Sequence, residues 1–178
     1  MRRAIPILAV LVLAVSLARA EKADREKPTQ IEANRMSADD AKRMNIFEGN
    51  VVLTKGTIAV RADRIVVRQD AEGYQFTTAT GTPVRFKQKQ DPKEGQKEGQ
   101  WMDGEAMRVE IDERKQTIEL FDKARINRGG DEVAGNYIFF DQRSEFYSVS
   151  SGKEGKDGQP PGRVTAVIQP KAAPAEKK

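Results

Sequence analysis

Residues 108–120 read Arg108-Val109-Glu110-Ile111-Asp112-Glu113-Arg114-Lys115-Gln116-Thr117-Ile118-Glu119-Leu120. Val109 and Ile111, then Ile118 and Leu120, fall at alternate positions, and the run between them is charged. Period two places alternate side chains on opposite faces of a strand, and Asp112-Glu113-Arg114-Lys115 is turn material. The stretch predicts a hairpin with one apolar face. Working outward, Thr57-Ile58-Ala59-Val60-Arg61 repeats the alternation. Turn signals stand at Glu48-Gly49-Asn50, Thr54-Lys55-Gly56, Ala71-Glu72-Gly73 and Arg128-Gly129-Gly130-Asp131. Leucine beyond residue 20 is confined to Leu53 and Leu120, while Val, Ile and Phe, which suit a pleated half-buried surface, carry most of the large apolar content. Strands at such spacing predict an all-β sandwich, barrel or stacked-hairpin sheet. Residues 37–44 are the one helical patch, with Ser37 placed as an N-cap, but their apolar spacing is poor and predicts a turn.

Composition narrows the function. The chain has 178 residues with 31 basic and 27 acidic side chains, and neither histidine nor cysteine. Without those two types no Ser-His-Asp triad, thiolate nucleophile or ordinary zinc or copper site can be built. A carboxylate pair of glycosidase type is the main catalytic option left, and the acids are scattered. No catalytic residue, metal site or cofactor is expected. Asp39 and Asp40 are adjacent but lack the further ligands a cation needs.

The first twenty residues read as an address. Met1-Arg2-Arg3 is basic, residues 4–17 are almost wholly apolar, and Ala18-Arg19-Ala20 supplies the small residues of a cleavage site. Those 14 positions fall short of the roughly 20 that span a bilayer. A cleavable signal peptide over residues 1–20 is expected, and with it export. Arg2, Arg3 and Arg19 leave with that segment, so the mature chain carries 28 basic against 27 acidic residues. That balance lacks the basic excess of a nucleic-acid-binding protein.

A short word recurs. Ala33-Asn34-Arg35-Met36 is matched by Ala62-Asp63-Arg64-Ile65 and Ala106-Met107-Arg108-Val109, and more weakly by Gly135-Asn136-Tyr137-Ile138, at intervals of 29, 44 and 29 residues. The long interval holds the polar stretch 87–100. Between these words lie Phe47-Glu48-Gly49-Asn50-Val51, Ala79-Thr80-Gly81-Thr82-Pro83-Val84 and Phe121-Asp122-Lys123-Ala124-Arg125-Ile126. A period near 30 predicts one supersecondary unit stacked several times.

Pro28-Thr29-Gln30-Ile31-Glu32-Ala33-Asn34-Arg35, Phe47-Glu48-Gly49-Asn50-Val51-Val52-Leu53-Thr54-Lys55-Gly56-Thr57-Ile58 and Ala62-Asp63-Arg64-Ile65-Val66-Val67 carry a family resemblance, completed by Gly81-Thr82-Pro83-Val84-Arg85-Phe86 and Gly135-Asn136-Tyr137-Ile138. Over residues 28–168 the chain resembles the OstA-like family of lipopolysaccharide-transport proteins, the LptA family. These words do not separate LptA from its relatives, the membrane-anchored LptC and the amino-terminal domain of LptD. Size, and a cleavable signal with no barrel after it, favour the LptA type.

The resemblance implies a long, twisted antiparallel β-jellyroll over residues 21–170, open along one side around an apolar groove, with a disordered tail at 171–178. It implies a periplasmic carrier that shields lipid A acyl chains and joins inner- and outer-membrane complexes by end-to-end strand pairing. The implied partners are lipopolysaccharide, further copies of itself, an LptC-like inner-membrane protein and an LptD-like outer-membrane protein.

Strand alternation offers Ile31, Ile58, Val60, Val84, Phe86, Val109, Ile111, Ile118, Leu120, Ile138 and Phe140 as inward residues. The pairs Ile65/Val67, Val109/Ile111 and Ile138/Phe140 hold the same place in successive repeats. Alternation alone leaves a closed core and an open lipid groove both standing; the resemblance implies the groove. The strands around Thr29, Ile31 and Ala33 and around Val164, Ala166 and Ile168 are the candidate edges for strand addition, with the 151–162 loop free to let the last strand swing out. Arg35, Arg64 and Arg108 recur in register, either to meet lipid phosphates or to pair with acids such as Asp63 and Glu110. The cluster Arg85, Lys87 and Lys89 beside Phe86 suits either a groove mouth or ordinary surface. A structural envelope adaptor with a closed core, or an LptC-like periplasmic domain, stands as the alternative to the carrier.

Overall fold

A computed structural model describes residues 24, 27–90, 92, 98–144, 146–152 and 162–170. The expected signal peptide and the 171–178 tail lie outside the described residues. The chain forms β1 (Gln30–Glu32), β2 (Arg35–Asp39), β3 (Met44–Lys55), β4 (Ile58–Gln69), β5 (Gln75–Lys89), β6 (Trp101–Asp112), β7 (Thr117–Arg128), β8 (Asp131–Asp141), β9 (Phe146–Ser150) and β10 (Thr165–Val167). These make one antiparallel sheet in which β3 to β8 follow chain order. β1 and β2 share the outer edge of β3, and β9 and β10 share the outer edge of β8.

The repeated words mark a line across this sheet. Register slips between Glu48 and Val51 on β3, between Arg61 and Arg64 on β4, and between Thr80 and Val84 on β5. It slips again between Glu105 and Arg108 on β6 and between Phe121 and Ala124 on β7. Extra residues in one strand bend it and increase its twist. Gly49 and Asn50 take φ of 80° and 47°, and Asp122 and Lys123 take 61° and 52°. Asn34 N–H donates to the Gly49 carbonyl at 2.9 Å, which fixes the break between β1 and β2 on the same line. Glu48-Gly49-Asn50, expected as a turn between strands, is therefore a bulge inside β3. Stacked bulges fold the sheet into two leaves whose inner faces meet.

Lys55 and Glu113 measure that fold. On a flat sheet they would stand at opposite ends, roughly 40 Å apart along the strands and about 14 Å across them. Their ion pair is 3.5 Å long.

Each leaf presents inward rows. One runs Met36–Phe47–Ile65–Ala79–Val109–Leu120–Ile138–Val149 by cross-strand register. In the other leaf the row is Ile31–Leu53–Val60–Phe86–Gly104–Ile126–Val133–Ala166. Glycine at 104 is required by proximity, because an added Cβ would lie 2.5 Å from the Arg125 carbonyl and 2.6 Å from the Phe86 ring. Ile65, Leu120, Ile138, Val51, Val84 and Val109 are the largest fully buried side chains. The central residues of both rows belong to one cluster shared by both leaves.

Residues 37–44 contain no helix. Ser37 lies in β2, and the turn is confined to residues 40–43. The reason is edge pairing: residues 35–39 match β3 one for one. The polar insertion is shorter than expected, since Lys87 and Lys89 belong to β5. The carboxy-terminal strand, expected over residues 163–169, is also shorter, Thr165–Val167, and shares the outer edge of β8 with β9.

Candidate functional site

Between the leaves, at the end where the β3–β4 hairpin meets the β6–β7 turn, lies a cavity of about 580 Å³. That is within the roughly 300–1,000 Å³ typical of small-ligand sites. One leaf contributes Ile31, Leu53, Ile58 and Gln88 to its wall; the other contributes Asn45, Phe47, Val67, Thr77 and Ile111. The rim is polar, with Lys55, Gln75, Glu113, Gln116 and Gln142.

Local interactions hold this rim. Glu113 accepts from Gln75 N–H at 3.1 Å while its own N–H donates to the Gln75 carbonyl at 3.0 Å. The carboxylate is thereby aimed at Lys55, and no other ion pair recorded among the described residues joins the two leaves. Asp24, 4% exposed, accepts from Thr57 N–H at 3.0 Å and from Thr57 Oγ1 at 2.5 Å. The same hydroxyl accepts from Lys89 N–H at 3.1 Å. Residue 24 is thus latched over the β3–β4 turn, where Gly56 has φ of 59° and leaves no room for a Cβ beneath the carboxylate.

The eleven inward candidates are all at least half-buried, yet they divide. Ile31, Ile58 and Ile111 line the cavity. Val60, Val84, Val109, Ile118, Leu120, Ile138 and Phe140 are buried in the shared core, and Phe86 packs against it. Phe47 and Leu53 are wall residues that the sequence reading did not offer, and Val67 is one it offered only through the repeat pair Ile65/Val67. Alternation along β4 does not reach Val67, since Ile58 and Val60 are even positions and Ile65 and Val67 odd; the slip between Arg61 and Arg64 brings both pairs inward, in agreement with the repeat pairing of Ile65/Val67 with Val109/Ile111. Asp24 had no sequence signal.

On the outer face two of the three recurrent arginines have acidic partners. Arg64 pairs with Glu48 at 3.2 Å. Arg108 pairs with Glu110 and lies 3.8 Å from the centre of the Phe121 ring, which packs on Tyr137 at 5.2 Å. Tyr137 donates to Glu119 at 2.6 Å; burial first, then that bond and the nearby carboxylates, push its phenol up to about 12. Asp63 takes no arginine and instead accepts from Thr82 Oγ1 at 3.3 Å. Arg35 has no ion-pair partner among the described residues. Arg85 pairs with Glu105 at 3.5 Å, Lys87 sits over Trp101 and Lys89 pairs with Glu98, so this basic cluster is outer surface and not a groove mouth. Asp39 bonds Lys42 at 2.8 Å, a contact that holds its carboxyl below the usual range. Among the described residues no acidic group gathers for a metal.

Both ends of the sheet are unpaired edges among the described residues, with Met36 on one side and Phe146, Tyr147, Val164, Val167 and Ile168 exposed on the other. No helix among the described residues is long and apolar enough to cross a membrane.

A single antiparallel sheet folded along a line of bulges, enclosing a cavity and open at both edges, defines the class as an open β-jellyroll. The chain belongs to the family described as LptA/(LptD N-terminal domain) LPS transport protein, whose pattern matches residues 30–146. It is 32% identical over 166 residues to the lipopolysaccharide export system protein LptA of Haemophilus influenzae, covering 92% of this chain and 89% of that one. It is 29% identical over 167 residues to LptA of Escherichia coli K12, covering 92% and 83%. The crystal structure of LptH, the LptA-homologous periplasmic component of the lipopolysaccharide transport device of Pseudomonas aeruginosa, superposes with a TM-score of 0.71. That likeness, at 23% identity over 83% of this chain and 99% of the other, shows the shared fold. The family is one of transport proteins and not of enzymes.

Proposed function

We propose that this chain is a periplasmic lipopolysaccharide carrier that shelters lipid A acyl chains between its leaves. In this reading it joins neighbouring copies, an LptC-like inner-membrane protein and an LptD-like outer-membrane protein, by strand addition at its two edges. The cavity carries the reading. Acyl chains in water cost about 0.8 kcal/mol per CH₂, and the wall formed by Ile31, Phe47, Leu53, Ile58, Val67 and Ile111 offers them an apolar surface. The edges support the second half, because unpaired strands with exposed apolar side chains are ordinarily covered, and a further strand would cover them.

Photocrosslinking in living Gram-negative cells tests the reading. A crosslinking residue at Ile58 or Ile111 is expected to give lipopolysaccharide adducts, and one at the outward Lys87 none. Folded, exported protein with no adduct at either cavity site would end the carrier reading.

A further inference from the structure

Among the described residues two buried polar ones line the cavity, Asp24 and Gln88; Asp24 is held by Thr57, and Gln88 is not held. It follows Val84 and Phe86 on the inward phase of β5, is 6% exposed and lines the cavity. Its register partner Met102, 4% exposed, brings only a thioether, and beyond the neighbouring Ala59–Lys87 pair lies Ile58. Among the described residues its carboxamide makes no hydrogen bond, and no buried side-chain nitrogen or oxygen is sealed off without a partner. The amide therefore opens into the cavity with its donors and acceptor unused. Asn45 and Thr77 make the wall polar in places, but Gln88 is the buried amide there with both donors and acceptor free, and buried polar groups are ordinarily satisfied.

Resting on the carrier reading, we propose that Gln88 is a ligand-contacting residue. Its carboxamide bonds the polar neck, an amide or ester carbonyl or an adjoining hydroxyl, through which an acyl chain joins its headgroup. The position fits an amphiphile. Charged Lys55 and Glu113 stand on the rim, Gln88 stands within, and Ile31, Leu53, Ile58 and Ile111 share the wall with polar Asn45 and Thr77. Gln88 thus sets the depth at which the chain enters and favours acyl chains attached through a carbonyl over plain alkyl chains.

The test uses the delipidated full mature chain and two probes of equal chain length and similar charge, an N-acylglucosamine 1-phosphate and an alkyl phosphate. Gln88→Met, close in shape, is expected to weaken the N-acyl probe roughly 3–10-fold, the worth of one hydrogen bond, and to leave the alkyl phosphate within about twofold. The unliganded variant is expected to melt no lower than the parent, since it buries no unpaired amide; Gln88→Leu provides the same reading with a second shape. Equal loss for both probes, no loss for either, or a lower melting temperature without ligand would overturn the proposal, the last by showing that the amide is structural. If the parent binds neither probe, the carrier reading itself fails, which separates the two.

Discussion

Leu120 and Ile111 are both inward aliphatic residues of the same leaf, yet their truncation should cost different amounts. Leu120 is 0% exposed, and its row neighbours Val109 and Ile138 are 2% and 0% exposed. Packed walls on every side cannot collapse into the space left by Leu120→Ala, so the loss includes both transfer and cavity contributions, about 3 kcal/mol. Ile111 is half-buried and already faces the 580 Å³ cavity on one side. Ile111→Ala loses contacts only where Ile111 is packed, about 1 kcal/mol. For a domain of this size each kcal/mol moves the thermal midpoint by roughly 2–4 °C. Delipidated Leu120→Ala should then melt about 6–12 °C below the parent and Ile111→Ala about 2–4 °C below. Differential scanning calorimetry reads both directly. An acyl ligand that raises the parent's midpoint should lose more of that gain in Ile111→Ala than in Leu120→Ala. Equal depressions without ligand would refute the division of the interior into packed core and open cavity.

Gly104→Ala should destabilise by about 1–3 kcal/mol, because the new Cβ meets the Arg125 carbonyl at 2.5 Å and only backbone movement relieves it; a midpoint equal to the parent's in thermal melts would contradict this. Tyr137 has a folded value of about 12 against an ordinary 10.0, so the folded state keeps a proton that the unfolded chain loses. Its contribution is complete below pH 10 and is lost as pH rises through 12, on the order of 1 kcal/mol after discounting for solvent. Tyr137→Phe should flatten stability over that window, and an unchanged slope in alkaline denaturation would count against the assignment. Glu113→Gln should cost only about 0.5 kcal/mol but widen the distribution of distances between spin labels at Thr54 and Lys115. A distribution as narrow as the parent's would show that the 3.5 Å pair does not hold the leaves together.

Alternation made the strands legible, because a half-buried sheet must bury every second side chain. Hence Val109/Ile111 and Ile118/Leu120 gave β6 and β7 with the correct turn between them. The recurring Ala-x-Arg words were also informative, since each sits on the bend line, Ala62-Asp63-Arg64 and Ala106-Met107-Arg108 inside strands and Ala33-Asn34-Arg35 at the break between β1 and β2. What they do there was not legible. Glu48-Gly49-Asn50 has the composition of a turn, and only the continued pairing of Val51 to Lys55 with β4 makes it a bulge. The site suffered from the same cause. A bend that changes phase inside a strand defeats any rule of strict alternation, so Val67 was reached only through the repeat pairing of Ile65/Val67 with Val109/Ile111. Whether an inward aliphatic packs or faces open space depends on the angle between the leaves. No short word encodes that angle, which is why Leu120 and Ile111 looked alike.

The bend line also constrains how copies would join in the proposed bridge. β1 and β2 occupy separate halves of β3, one on each leaf, and β10 and β9 do the same on β8. A neighbour pairing with one leaf alone would continue half of the inner surface and leave the other half in water. The first-leaf row ends in Met36, 59% exposed, at one edge and in half-buried Val149 at the other. Ile31 and Ala166 end the second-leaf row. For the apolar trough to run on between copies, both breaks must be matched together, so joining should require β1 with β2 at one end and β9 with β10 at the other. Proline at Ala166, on β10, and at Ser148, on β9, tests this, because proline removes a ladder donor. Each substitution alone should abolish chain extension in sedimentation velocity while leaving the monomer folded. Extension that survives loss of either leaf's edge would mean that copies meet through one leaf, with no continuous trough between them.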